Sequence, residues 1–205
     1  MTDHGSPAVA RAVTTDGTNR VLTISRTYHA DVEDVWSACT DAERIPRWFI
    51  PIEGDLRLHG RYQLKDHAGG VVEQCDPPRH FRATWEYDGE VTWIELTLTA
   101  VGGATRFELA QTIPAGNSRW LEFGPGATGV GWELMLHGLG LHLGYGAPVD
   151  PAEGADWLAS ADGRRFVTDS SQAWSAASID AGTDPAEAHA AADRTTAAYT
   201  EAPAG

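Results

Sequence analysis

The sequence predicts an α+β fold, a curved antiparallel sheet closed over by one long helix. Three observations carry that prediction. Over residues 20–28, and again from residue 54 to residue 113, apolar and polar side chains alternate at period two, in segments separated by tight-turn residues. The spacing then becomes helical from Gly126 to Tyr145, with Trp132, Met135, Leu136, Leu139 and Leu143 on one apolar stripe. Finally, strands joined in succession by short turns pack as an antiparallel meander, one face dry and one wet.

Taken in order, residues 1–18 are small and polar and read as a disordered leader. RVLTISRTY, from Arg20 to Tyr28, is a half-buried strand with Val21 opposite Leu22 and Ile24. Asp31 caps a helix in which Val32, Val35, Trp36 and Cys39 share a face. A second short helix starts at Asp41 and bends at Pro46, which places Trp48 and Phe49 just beyond the bend. GDLRLHGRYQL reads as one strand carrying Leu56, Leu58, Tyr62 and Leu64 on one face, and VVEQC follows it after the turn DHAGG. HFRATWEY groups Phe81, Ala83, Trp85 and Tyr87. Asp88-Gly89 is a hairpin signal leading to Ile94, Leu96 and Leu98, and Gly102-Gly103 turns the chain into a last strand with Phe107 and Leu109 inward. Residues 114–127 form a Gly/Pro-rich flap that contains Trp120, Leu121 and Phe123. In the long helix, each interior glycine costs roughly 1 kcal/mol relative to Ala. Gly131, Gly138, Gly140 and Gly144 leave a bare flank that another backbone can approach closely.

Residues 19–146 thus make one domain, and the character changes beyond them. Residues 147–205 hold about half of the net charge of −14 in under a third of the length. Asp150-Pro151 and Asp184-Pro185 are helix-start signatures, so helices are expected near 151–160, 162–180 and 185–199. Their few apolar anchors cannot make a core, so this extension docks on the main domain or on a second subunit, the latter giving a homodimer.

The acidic balance, with Lys65 the only lysine, argues against nucleic acid and against anionic membrane surfaces. The apolar run from Val130 to Leu143 is broken by Glu133 and His137 and is too short to span a bilayer. No signal-peptide core precedes it, so a soluble, cytoplasmic protein with no membrane insertion is expected, with Cys39 and Cys75 as free thiols.

Several phrases in order, ISRTYHADVEDVWSACTDAERIPRWF, GDLRLHGRY, VVEQCDPPRHFRATWEYDG and Gly131-Trp132 at the head of the last helix, resemble one family. The chain is similar to the SRPBCC (START-like, Bet v 1-like) superfamily, in the branch of the C-terminal domain of the Hsp90 ATPase activator, over roughly residues 20–145. The resemblance implies a helix-grip fold in bacterial proteins that enclose an apolar cavity. Members bind hydrophobic molecules, and some catalyse cyclisation or dehydration.

The residues support a binding site better than a catalytic one. Trp48, Phe49, Tyr62, Trp85 and Phe107 on the sheet side, with Met135, Leu139 and Leu143 on the helix, are the candidate ligand-binding residues. Trp93, by parity, points away from Ile94 and Leu96. His137 and His142 face different sides of the helix, and no zinc spacing, phosphate loop or nucleophile elbow occurs, so no metal and no cofactor are expected. Glu86 and Glu108 fall on the wet face beside Arg82 and Arg106; Glu133, near the mouth of the helix, could serve as an acid in the cavity but reads better as a capped surface acid. The expected function is therefore binding of a small hydrophobic ligand between sheet and helix, without an assembled catalytic set. A cyclase or dehydratase acting in the same cavity, with Tyr62 and His137 as its polar groups, is one alternative. A chaperone-activator-like interaction module is the other.

Overall fold

The computed structural model describes residues 9–146, 148 and 151–201. Eight strands form one antiparallel sheet in the order β1-β2-β8-β7-β6-β5-β4-β3. They are β1 Ala10–Asp16, β2 Asn19–Tyr28, β3 Ile52–Gly54, β4 Arg61–Leu64, β5 Gly69–Asp76, β6 His80–Tyr87, β7 Glu90–Val101 and β8 Ala104–Ile113. The sheet curves around α3, Gly126–Tyr145, in the helix-grip arrangement. The period-two pattern positions the core as expected. Leu22, Ile24, Ile94, Leu96, Leu98, Phe107 and Leu109 are all buried on the concave face. Asp88 and Gly89 both adopt positive φ, 52° and 76°, the conformation a two-residue hairpin turn requires.

Three expectations are corrected. First, residues 10–16 are not part of a disordered leader; residues 1–8 lie outside the described residues. Ala10–Asp16 pairs antiparallel with β2, Val13 opposite Leu22, and Arg11 is fixed by Glu133 of α3. The strand is polar because it is an edge, exposed along most of its length. Second, GDLRLHGRYQL is not one strand. It folds back on itself as the β3–β4 hairpin, Gly54 facing Tyr62, so that Leu56 and Leu58 sit in the connecting loop. Third, the helix expected from Asp41 shrinks to a single 3-10 turn, Ile45–Arg47. The helix before it, α1 Val32–Thr40, lies where expected, although the Asp31 side chain makes no capping bond.

The flap at 114–127 contains a short helix, α2 Ser118–Phe123, whose N-cap Asn117 accepts from the Trp120 N–H. The extension forms α4 Pro151–Ala159, α5 Ala161–Asp180 and α6 Pro185–Thr200. Asp184 caps α6 by accepting from the Ala186 and Glu187 N–H groups, while Asp150 lies outside the described residues. Both α5 and α6 dock on this chain's own domain, α5 against α3 and β1, and α6 against α2 and α3. Trp174 and Val167 are fully buried in that interface. Glycines of α3 make the fit possible. A Cβ on Gly129 would lie 2.2 Å from the Trp174 indole, and one on Gly126 would lie 2.5 Å from the Thr195 hydroxyl. Trp157 and Phe166 add an aromatic stack on His137, with ring centroids 4.9 and 5.9 Å away.

Glu133 is the clearest departure from the sequence reading. It is 3% exposed, not a surface acid. Its carboxylate takes two bonds of 2.6 Å from the Arg11 guanidinium and one of 2.8 Å from the Ser170 hydroxyl. One buried bidentate pair thereby ties β1, α3 and α5 together.

Candidate functional site

Between the sheet and the N-terminal half of α3 lies a cavity of about 450 Å³. Strand alternation supplies most of its wall: Tyr62 and Leu64 from β4, Val72 and Cys75 from β5, Phe81, Ala83 and Trp85 from β6, Ile94 and Leu96 from β7, and Phe107 and Leu109 from β8. Trp132 and Met135 of α3 face them, while Trp36 and Cys39 of α1, with Ile45, Trp48 and Phe49 after it, close one end. Leu56, Arg57 and Leu58 of the β3–β4 loop form the mouth.

Three of the lining aromatics are positioned by a hydrogen bond. Trp48 donates its indole N–H to the Ala38 carbonyl at 2.9 Å and stacks on Phe49 at 5.6 Å. Gly138 lets the Trp48 carbonyl approach α3, where a Cβ would come within 2.6 Å of it. Tyr62 donates its hydroxyl to the Thr84 carbonyl at 2.6 Å. Trp132 donates to the Gln111 side-chain oxygen at 2.6 Å, and Gln111 in turn donates to the Thr92 hydroxyl at 2.8 Å. The polar atoms of Trp48, Tyr62 and Trp132 are thus engaged with protein partners, which leaves the faces of these rings to the cavity.

Six of the eight candidate residues line this cavity: Trp48, Phe49, Tyr62, Trp85, Phe107 and Met135. Leu139 and Leu143 do not. Leu139 is fully buried one turn beyond Met135, where Gly138 brings the Trp48 backbone against α3 and leaves no space, and Leu143 packs half-buried beyond it. Sequence reasoning missed Cys39 and Cys75 as lining, along with Trp36 and Phe81, whose rings meet edge to face at 6.2 Å. The common face of Trp36 and Cys39 on α1 was the available signal. Trp93 lies on the outer face, donating to Glu73 at 3.3 Å.

The titratable groups of the wall are held protonated. Burial pushes the Cys39 thiol up to about 12, despite the nearby Arg44 charge. Burial also raises Tyr62, helped by the Glu86 charge, and raises Cys75, helped by Asp76. Glu86 itself pairs with Arg61 at 2.7 Å, not with Arg82, and that hydrogen bond holds its carboxyl below the ordinary range. His137 stands apart from the cavity in its stack with Trp157. Among the described residues no group of three His, Cys, Asp or Glu side chains could hold a metal ion.

The model of the family described as "Activator of Hsp90 ATPase homolog 1-like protein" matches residues 29–144. The chain belongs to that family. No curated protein sequence matches it. Among solved structures, CalU16 from Micromonospora echinospora in solution is 33% identical with a TM-score of 0.73, over 87% of this chain and 100% of that one. Its crystal structure gives a TM-score of 0.66 over 83% of this chain and 98% of that one, again at 33% identity. These shares exceed the span 29–144, so the likeness runs on into the flanking elements. Two further neighbours share the fold alone. DynU16, from the dynemicin biosynthetic locus, is 21% identical with a TM-score of 0.55 over 62% of this chain and 48% of that chain. An HSP90 activator from Plasmodium falciparum is 19% identical with a TM-score of 0.53 over 62% of this chain and 97% of that chain. Among the described residues no helix is long and apolar enough to cross a membrane.

Proposed function

We propose that this chain binds a small hydrophobic molecule in the cavity between the sheet and α3. The observation that carries the reading is a cavity of about 450 Å³ whose wall is largely aromatic and aliphatic, with the polar atoms of Trp48, Tyr62 and Trp132 bonded to protein partners. A ligand that buries about 200 Å² of apolar surface there gains roughly 5 kcal/mol before the costs of association. The cyclase or dehydratase alternative needs a lining group that exchanges a proton near neutral pH. The Cys39, Cys75 and Tyr62 groups are all shifted the other way, which favours binding over catalysis.

The test compares wild type with Met135→Trp, which fills the cavity from the helix side. Apolar molecules recovered by organic-solvent extraction and mass spectrometry, or found in a thermal-shift screen, should raise the melting temperature of the wild type and not of the variant. If no screened apolar molecule stabilises the wild type, the reading fails.

A further inference from the structure

A second cavity, of about 190 Å³, lies behind one wall of the first. Phe49, Trp85 and Trp132 line both, so a single aromatic partition separates them. The chemistry on the far side is different. Arg119 of α2, His67, Gln111 and Thr92 line it together with Tyr87 and Tyr199. The Arg119 guanidinium lies over the Tyr87 ring at 5.8 Å and, among the described residues, forms no ion pair. The acid on this rim, Glu90, is already engaged. It accepts from the Asn117 side-chain amide and, at 2.9 Å, from the Ser118 N–H, bonds that hold the start of α2. The cavity therefore presents a cation whose neighbouring carboxylate is turned to a structural task.

We propose that this second cavity receives the carboxylate of an amphipathic acid, held by Arg119, while the apolar body of the same molecule occupies the main cavity. This rests on the hydrophobic-ligand reading above and specifies its ligand class. Guanidinium is the cation suited to the pairing, because its planar donors meet a carboxylate in two parallel bonds. Other groups feel the same charge. His67 is held below its ordinary value first by burial and then by Arg119, and Arg119 opposes the burial that raises Tyr199. Its field thus reaches both sides of the cavity.

The two indoles of the partition are held differently. The Trp132 indole N–H is fixed to Gln111 at 2.6 Å, and Gln111 is fixed to Thr92. The Trp85 indole has no hydrogen-bond partner among the described residues. Its ring packs against the core and meets Trp132 at 5.0 Å and His67 at 5.6 Å. For one molecule to span both spaces an indole of this partition must turn aside, and Trp85 is the one with no hydrogen bond to break.

Tryptophan-fluorescence titration of the full-length protein at pH 7.5 with decanoic acid and with 1-decanol tests this, using wild type, Arg119→Gln and Met135→Trp. Arg119 is exposed, so the fold survives its replacement, which circular dichroism verifies. The wild type should bind the acid roughly tenfold more tightly than the alcohol, as expected for hydrogen bonds to a charged group. In Arg119→Gln that ratio should fall to about one, and Met135→Trp should bind neither probe. If the alcohol binds as well as the acid in wild type, or if Arg119→Gln keeps the preference, the acid site is overturned and the apolar cavity stands. If the wild type binds neither probe, the cavity reading falls with it.

Discussion

Gly129→Ala offers a sharp test of how the helical extension is seated. A methyl group there would sit 2.2 Å from Trp174 Cε2, 2.3 Å from Nε1 and 2.6 Å from Cδ2. The indole cannot retreat, because Trp174 is fully buried. Helix α5 must move as a body instead. Overpacking of this kind costs about 1–3 kcal/mol. Replacing an interior helical glycine returns about 1 kcal/mol. With three atoms inside contact distance the cost falls in the upper part of that range, about 2–3 kcal/mol, which leaves a net loss of roughly 1–2 kcal/mol. In a chain of this size that lowers the melting temperature by roughly 2–8 °C. Trp174→Ala alone should cost about 3–5 kcal/mol. In that background the clash is gone and only the helix-propensity gain remains, so Gly129→Ala should now stabilise by about 1 kcal/mol. Urea denaturation of the four proteins reads the change of sign directly. Stabilisation of the otherwise wild-type protein by Gly129→Ala, or an equal effect in both backgrounds, would refute the docking of α5 on α3.

Two other consequences follow from the same interface. Arg11→Met leaves the Glu133 carboxylate, 3% exposed, with only Ser170 as partner, and should cost about 3–5 kcal/mol by urea midpoint. Adding Glu133→Leu should restore most of that loss, and an effect below about 0.5 kcal/mol for the single change would contradict the strap between β1, α3 and α5. His137 is held below its ordinary 6.5, first by burial against Trp157 and Phe166 and then by the Arg26 charge. The unfolded chain therefore takes up the proton at higher pH than the folded one. The stability is fully present above about 6.5 and is lost as pH falls through the lowered folded value. His137→Phe keeps a stacking ring without the proton, so its melting temperature should fall less between pH 7.5 and 5.5 than that of the wild type. An identical fall would show that the stack does not form.

The sheet was legible because each hairpin carried its own turn chemistry and each strand its own alternation, from Asp88-Gly89 through Phe107 and Leu109. The helices of the extension were legible for the same local reason, at Asp184-Pro185 above all. What escaped were features set by distant partners. β1 looked like a leader because its polarity suits an edge and its anchor, Glu133, lies 122 residues away from Arg11. Glu133 looked like a surface acid for the converse reason. The inner face of α5 is built from Ser170, Ser171, Ser175 and Ser178 around Trp174, small polar residues that carry no apolar stripe to read. In the site, alternation identified the sheet residues that face the cavity. Leu139 and Leu143 lie outside the cavity lining, and a helical stripe does not show where along its length the sheet stops leaving room. That boundary is set by Gly138 and the Trp48 backbone.

The central claim is that an apolar space persists between the sheet and α3 and accepts guest molecules. Diffraction from crystals pressurised with xenon tests it most directly, because xenon needs only a dry cavity of sufficient size. A strong anomalous peak bounded by Trp48, Phe81, Phe107 and Met135, lost in Met135→Trp, is the predicted result. Side chains of those residues closed against one another, with no xenon among them, would contradict it.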